Sequence, residues 1–190
     1  MRRRGLAFGL VGLVLLLAPG GHVGAEARRW SVVPERSSIT MHIQALGASQ
    51  DGVFSSWTGD IRFDPARPEQ ASVAIDVRTA SLRMRQAVVT RRAIGPGFLD
   101  ADRYPSIGFR LHSLERLGSD RFAAVADVTI RGHTQPVVFP VDLRVEGRTA
   151  QMTGGFSFDR AAFDIGMRGP WNGLIGRQVR VEVSLTSRAP

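Results

Sequence analysis

Cysteine is absent from all 190 residues, and lysine is absent too. Without thiols the chain forms no disulfide, offers no thiol nucleophile and cannot carry the acylated cysteine of a bacterial lipoprotein. Its 25 cationic side chains are therefore all Arg, set against 17 acids for a formal charge of +8. Aromatics are scarce, at 7% with a single Tyr. A nucleic-acid surface clusters basic residues with exposed aromatics. Here the Arg residues are scattered between acids on outward strand positions, which points to a solvated surface and away from a nucleic-acid partner. Long apolar runs are also missing. A membrane-spanning helix needs about 20 apolar residues, and residues 6–18 fall short of that.

That short run follows Arg2, Arg3 and Arg4 and precedes the small residues Ala25 and Ala27. A basic start, an apolar stretch and a small-residue cleavage site make an export signal. Residues 1–27 are read as a signal peptide and 28–190 as one domain, long enough to sustain a single core. The expected location is the periplasm or the medium, with no transmembrane segment in the mature protein.

What the chain has in quantity is alternation. Val137, Phe139, Val141, Leu143 and Val145 face Asp142, Arg144 and Glu146, while Val179, Val181, Val183 and Leu185 face Arg180, Glu182 and Ser184. A period of two with one apolar phase marks half-buried antiparallel strands. Further strands are expected at 30–33, 38–45, 53–63, 73–77, 107–111, 122–130 and 152–158, with a turn bracketed by Gly47 and Gly52 and others at 117–120, 131–134 and 146–148. Residues 81–92 break the alternation and predict a helix stopped by Gly95, Pro96 and Gly97. Residues 98–102 read as one helical turn, 159–176 as irregular, and Gly154 with Gly155 as a bulge or sharp coil. So few helices cannot cover the apolar face, and the sheet must roll onto itself. The expected fold is all-β, an eight-stranded antiparallel barrel with a short helical insertion.

The apolar phase supplies the candidate pore wall: Met41, Ile43, Trp57, Ile61, Phe63, Val73, Ile75, Ile107, Phe109, Leu111, Phe139, Val141, Phe156, Phe158, Val181 and Val183. Gly59, Gly154, Ala45 and Ala71 between them leave room for a hollow. Each aromatic could equally pack the interior, and Trp57, with an indole that needs a partner, could plug one end. Arg160, just after Asp159, could hold an anionic head group with its planar fork or serve as half of a structural Asp-Arg pair. Arg91 and Arg92 are the other head-group candidates.

His42, His112 and His133 lie on two strands and in a turn, with none of the convergence a metal requires. Neither a Gly-x-Ser-x-Gly elbow nor a phosphate loop is present. No catalytic, metal or cofactor residue is assigned. A barrel enzyme would need an inward acid, and Asp76 and Asp127 fall on outward phases. An outer-membrane barrel would wear its apolar phase outside, and a filled barrel would serve only as an interaction or stress protein.

Several segments carry a family resemblance. They are Trp30 with Ser37 and Ile39; residues 52–65, with Gly52, Trp57, Asp60 and Pro65; Phe98, Leu99 and Asp100 with Tyr104, Pro105 and Phe109; residues 129–137; and Asp159 and Arg160 with Phe163, Ile165 and Gly166. In that order they resemble the YceI-like family. The resemblance implies an exported bacterial protein with a lipocalin-like barrel, whose elongated apolar pore binds a long amphiphile, a polyisoprenoid or a fatty-acid-derived lipid, without a cofactor. A homodimer is compatible with it. Two segments depart from the family's pattern: residues 89–96 are basic where an Arg-Asp pair and further acids are usual, and Ala126, Asp127 and Val128 stand in place of a Gly-x-Leu.

Overall fold

The computed structural model describes residues 28–190. The signal-peptide expectation for 1–27 lies outside the described residues. The strands are β1 (Arg28–Val32), β2 (Ser38–Ala45), β3 (Ala48–Phe54), β4 (Trp57–Phe63), β5 (Ser72–Arg78), β6 (Leu82–Met84), β7 (Ser106–Arg116), β8 (Arg121–Ile130), β9 (His133–Glu146), β10 (Thr149–Asp159) and β11 (Ile175–Arg188), with one helix, α1 (Ala87–Ile94). The order β1-β4-β5-β7-β8-β9-β10-β11 returns to β1, closing an eight-stranded antiparallel barrel. This is the expected architecture.

Alternation builds the wall as read. Along β9, Val137, Phe139 and Val141 are buried while Val138, Pro140 and Asp142 are exposed. The outward phase is charged and cross-linked, with Asp76 accepting two bonds from Arg110 at 2.9 Å and Asp60 pairing with Arg29 at 3.1 Å. Apolar inside and charged outside is the reverse of a lipid-exposed barrel.

The strand expected at 38–45 is found as β2, whereas the one expected at 53–63 is split, one of three corners in this part of the sheet. The first bend, at Ser55 and Ser56, replaces a single long strand, because Ser55 N–H and Oγ both bond Ser81 O (3.2 and 3.1 Å) and Ser81 Oγ bonds Ser56 O (3.2 Å). Pro34–Arg36 separates β1 from β2 in a single 3₁₀ turn, and Thr79–Ser81 separates β5 from β6 in another. Past these corners β2, β3 and β6 peel away as a side sheet. It is carried by β11, which pairs with β2 from Ile175 to Ser184 and with β1 at Arg188 and Ser187.

The same corner shortens the expected helix. Leu82 is fully buried and pairs with Phe54, so 82–84 stay extended and α1 begins only after Gln86, ending at Gly95 ahead of Pro96. Residues 98–102 form successive turns rather than a helical one, with Tyr104 N–H on Asp100 O at 2.8 Å. The first hairpin turn is Leu46-Gly47, and Gly52 lies inside β3. Gly154 and Gly155 make no bulge against β11, whose register runs unbroken through both. Instead Gly154 is the last residue paired with β9, at Val141. Pro136 and Pro140 deny β9 two ladder donors beyond that point, and a Cβ on Gly154 would lie 2.8 Å from Val141 Cγ1.

One end of the barrel is solid. Trp30 lies against Phe63 with ring centroids 5.4 Å apart, and its indole N–H donates to Phe63 O at 3.0 Å. Ile61, Leu114, Phe122, Ala124 and Val141 fill the space behind them.

Candidate functional site: a two-chamber apolar hollow

Elsewhere on the barrel's inner face, inward residues are only half-buried. Val73, Ile107, Phe109, Met152, Phe156, Val181 and Val183 all keep residual exposure although they point into the barrel. They face an inner chamber of 120 Å³ lined wholly by apolar side chains and Gly108. Phe109, Phe139, Phe156, Phe158 and Phe163 run along this interior as a chain of rings with successive centroids 6.2, 5.1, 6.4 and 5.0 Å apart.

A larger outer chamber of 460 Å³ lies under α1, between the β2–β3 arm, the turn at Phe98 and Leu99, and the segment ending at Ile175. Met41, Leu99, Phe158 and Val179 line both chambers. The outer lining is apolar except for Gln50, Gln86, Arg92 and Arg160. Among the described residues no Asp or Glu lines either chamber.

Most of the sequence-derived wall is brought together here. Met41, Val73, Ile75, Ile107, Phe109, Phe139, Phe156, Phe158, Val181 and Val183 line the inner chamber, and Met41, Phe158 and Ile43 line the outer one. Five candidates lie elsewhere. Ile61 and Phe63 are packed under Trp30, Val141 is sealed within the core beside Gly154, and Leu111 packs on that core. Trp57 is a side wall of a polar groove with Arg29 and Asp60, so the plug at that end is Trp30, not Trp57. Phase decides which way a residue points; it does not decide what stands opposite.

Arg160 is a correction. It is 0% exposed, and its guanidinium is spent on the chain itself. Nε donates to Gly176 O (2.9 Å), one terminal nitrogen to Ile165 O and Gly166 O (2.8 and 3.0 Å), the other to Asn172 O and Ile175 O (2.8 and 2.9 Å). With its donors so occupied it cannot grip a head group. It clasps the irregular segment that walls the outer chamber, and burial lowers its pKa from the ordinary Arg value. Its expected partner Asp159 instead accepts from Arg177 at 2.6 Å and from Ala161 N–H at 2.9 Å, which together hold that carboxyl below its usual range. The segment is tied to the other wall at Gly166, where φ is +62° and a Cβ would meet the Phe98 ring at 2.9 Å. Arg92 lines the outer chamber; Arg91 is exposed beside it.

Sequence reasoning missed Leu82, Met84, Val88, Val89 and Ala93, all lining the outer chamber. Their apolar character was visible, but only the corners at Ser55 and Thr79 swing them over the barrel's opening. Asp76 and Asp127 lie outside as expected, Asp127 beside His112 at 2.9 Å, while His42 sits between Asp51 and Glu182 at 2.8 and 3.5 Å.

The chain is similar to known proteins along its length. A UPF0312 protein of Pseudomonas fluorescens (strain SBW25) is 30% identical over 195 residues, covering 97% of each chain. The crystal structure of Burkholderia cenocepacia BcnA superposes with a TM-score of 0.77 at 23% identity, covering 82% of this chain and 99% of that one. A polyisoprenoid binding domain from Saccharophagus degradans, implicated in plant cell wall breakdown, superposes with a TM-score of 0.68 at 12% identity, covering 87% and 99%. At those identities the two structures speak to the fold alone. The YceI-like domain matches residues 30–187, nearly all of the described chain, and the protein belongs to that family.

Proposed function

We propose that this protein binds one long amphiphile, a polyisoprenoid or fatty-acid-derived lipid, tail inward, and carries or stores it in the compartment to which residues 1–27 direct the chain, the periplasm. The observation that carries this reading is a carboxylate-free apolar hollow whose two chambers share Met41, Leu99, Phe158 and Val179. Burial of each CH₂ contributes roughly 0.8 kcal/mol, so a few isoprene units exceed the ordering cost of binding. Gln50, Gln86 and Arg92 are the polar groups within reach of a head group at the outer chamber, and Arg92 suits an anionic one. The name of the Saccharophagus neighbour, a polyisoprenoid binding domain, agrees with this substrate class.

The test is extraction. Protein purified without detergent is treated with organic solvent and the extract is examined by mass spectrometry, alongside titration of the stripped protein with prenyl and fatty-acyl probes. One lipid per chain, or saturable uptake of either probe, is expected. A clean extract together with no uptake of either probe contradicts the reading.

A further inference from the structure

We propose that the mouth beneath α1 is a docking surface for an anionic lipid bilayer. Three large apolar side chains stand exposed around this one opening: Leu46 at 65%, Val88 at 60% and Leu174 at 48%. Leu46 and Val88 line the outer chamber, and Leu46 N–H donates to Leu174 O at 2.9 Å, so the rim is continuous.

Leu46 is the most telling of the three. It occupies the first place of the two-residue turn between Ala45 and Ala48, with φ of +56° ahead of Gly47 at +77°. Such a turn favours Asn, Asp or Gly, and a branched apolar residue there is strained. Folding gains little burial in return, because the side chain stays 65% exposed. A bilayer supplies the missing burial.

Charge points the same way. The segments around the mouth, residues 43–50, 82–99 and 165–177, hold six Arg and no Asp or Glu, in a chain that has 17 acids. Arg83 bonds Ala80 O and Leu82 O, and Arg177 holds Asp159. Arg85, Arg91, Arg92 and Arg168 are exposed. Acids resume at Asp51, Asp100 and Asp164, of which Asp51 pairs with His42 and Asp164 with Arg131. An apolar rim set in a cationic collar matches the boundary between anionic head groups and acyl chains, and Arg forks suit lipid phosphates. Seated there, the opening of the hollow faces hydrocarbon rather than water.

The test is co-sedimentation of the protein, expressed from the full chain, with vesicles of phosphatidylcholine alone and with added phosphatidylglycerol. Salt is set at about 0.1 M and then about 1 M, where the screening length falls from about 10 to about 3 Å. Because all variants share residues 1–27, their differences report on the rim. Wild type is expected to sediment with the phosphatidylglycerol vesicles and to be released by high salt. Leu46→Asn relieves the turn, so its melting temperature stays level or rises while binding falls on the order of tenfold, the transfer of one Leu side chain. Arg85→Glu with Arg91→Glu and Arg168→Glu abolishes the preference for phosphatidylglycerol. Leu174→Asn alters the rim at a residue that lines neither chamber, so its sedimentation falls while its uptake of a dissolved prenyl probe is unchanged, which separates failure of docking from failure of lipid binding. No sedimentation of wild type, or equal sedimentation of wild type and all three variants, overturns the proposal and leaves the rim to a protein partner.

Discussion

At the end of the barrel capped by Trp30 and Phe63 the inward residues meet one another; under α1 they meet open space. Both ends are built from the same alternating strands, and β10 alone runs from the sealed Ala150 to the half-exposed Phe156 and Phe158. The difference comes from the corners at Pro34, Ser55 and Thr79, which turn β2, β3 and β6 outward and leave α1 and residues 98–99 to roof the gap. The solid end should therefore carry stability and the hollow end binding, with little exchange between the two.

The sharpest break of that comparison is Phe63→Ala. Removing a ring packed on Trp30 costs about 3–5 kcal/mol by urea unfolding, while prenyl-probe uptake per folded molecule is unchanged. Arg160→Met acts on both counts. It strands the carbonyls of Ile165, Gly166, Asn172, Ile175 and Gly176. The cost is at least about 3 kcal/mol, and uptake falls because the wall of the outer chamber loosens. Arg160→Lys recovers little, since an ammonium cannot reach all five.

Val181→Phe fills the inner chamber from its own lining. Unfolding free energy should move by less than about 1.5 kcal/mol in either direction, yet uptake of a prenyl probe should fall roughly tenfold, the loss of about two buried CH₂ groups. The smallest effect is electrostatic. Asp159 has its folded pKa lowered by Arg177 and the Ala161 N–H. Its contribution is thus complete above the ordinary carboxylate pKa of about 3.9 and is lost as pH falls through the lower folded value. Asp159→Asn should flatten that acid limb of the urea midpoint and leave the neutral plateau slightly lower.

The barrel itself was legible in the chain, because a period of two reports the direction of each side chain and Val137, Phe139 and Val181 obey it. The hollow was only half legible. Phe63 and Phe156 share a phase and a residue type, but one is stacked on Trp30, which comes from a strand far away in sequence, and the other faces a cavity. Nothing local to 53–63 announces the corner at Ser55, since its partner is Ser81. Arg160 misled because its neighbour Asp159 offers an obvious pair, whereas the real acceptors are main-chain carbonyls, which no side-chain pattern reveals.

The central claim is that the hollow under α1 takes up one apolar chain while the Trp30 end takes none. Titrating solvent-stripped protein with a fluorescent prenyl probe, side by side for wild type, Val181→Phe and Phe63→Leu, addresses it most directly. The expected result is saturation at one probe per chain in wild type and Phe63→Leu and a marked loss in Val181→Phe. Uptake that is absent in wild type, or undiminished in Val181→Phe, contradicts it.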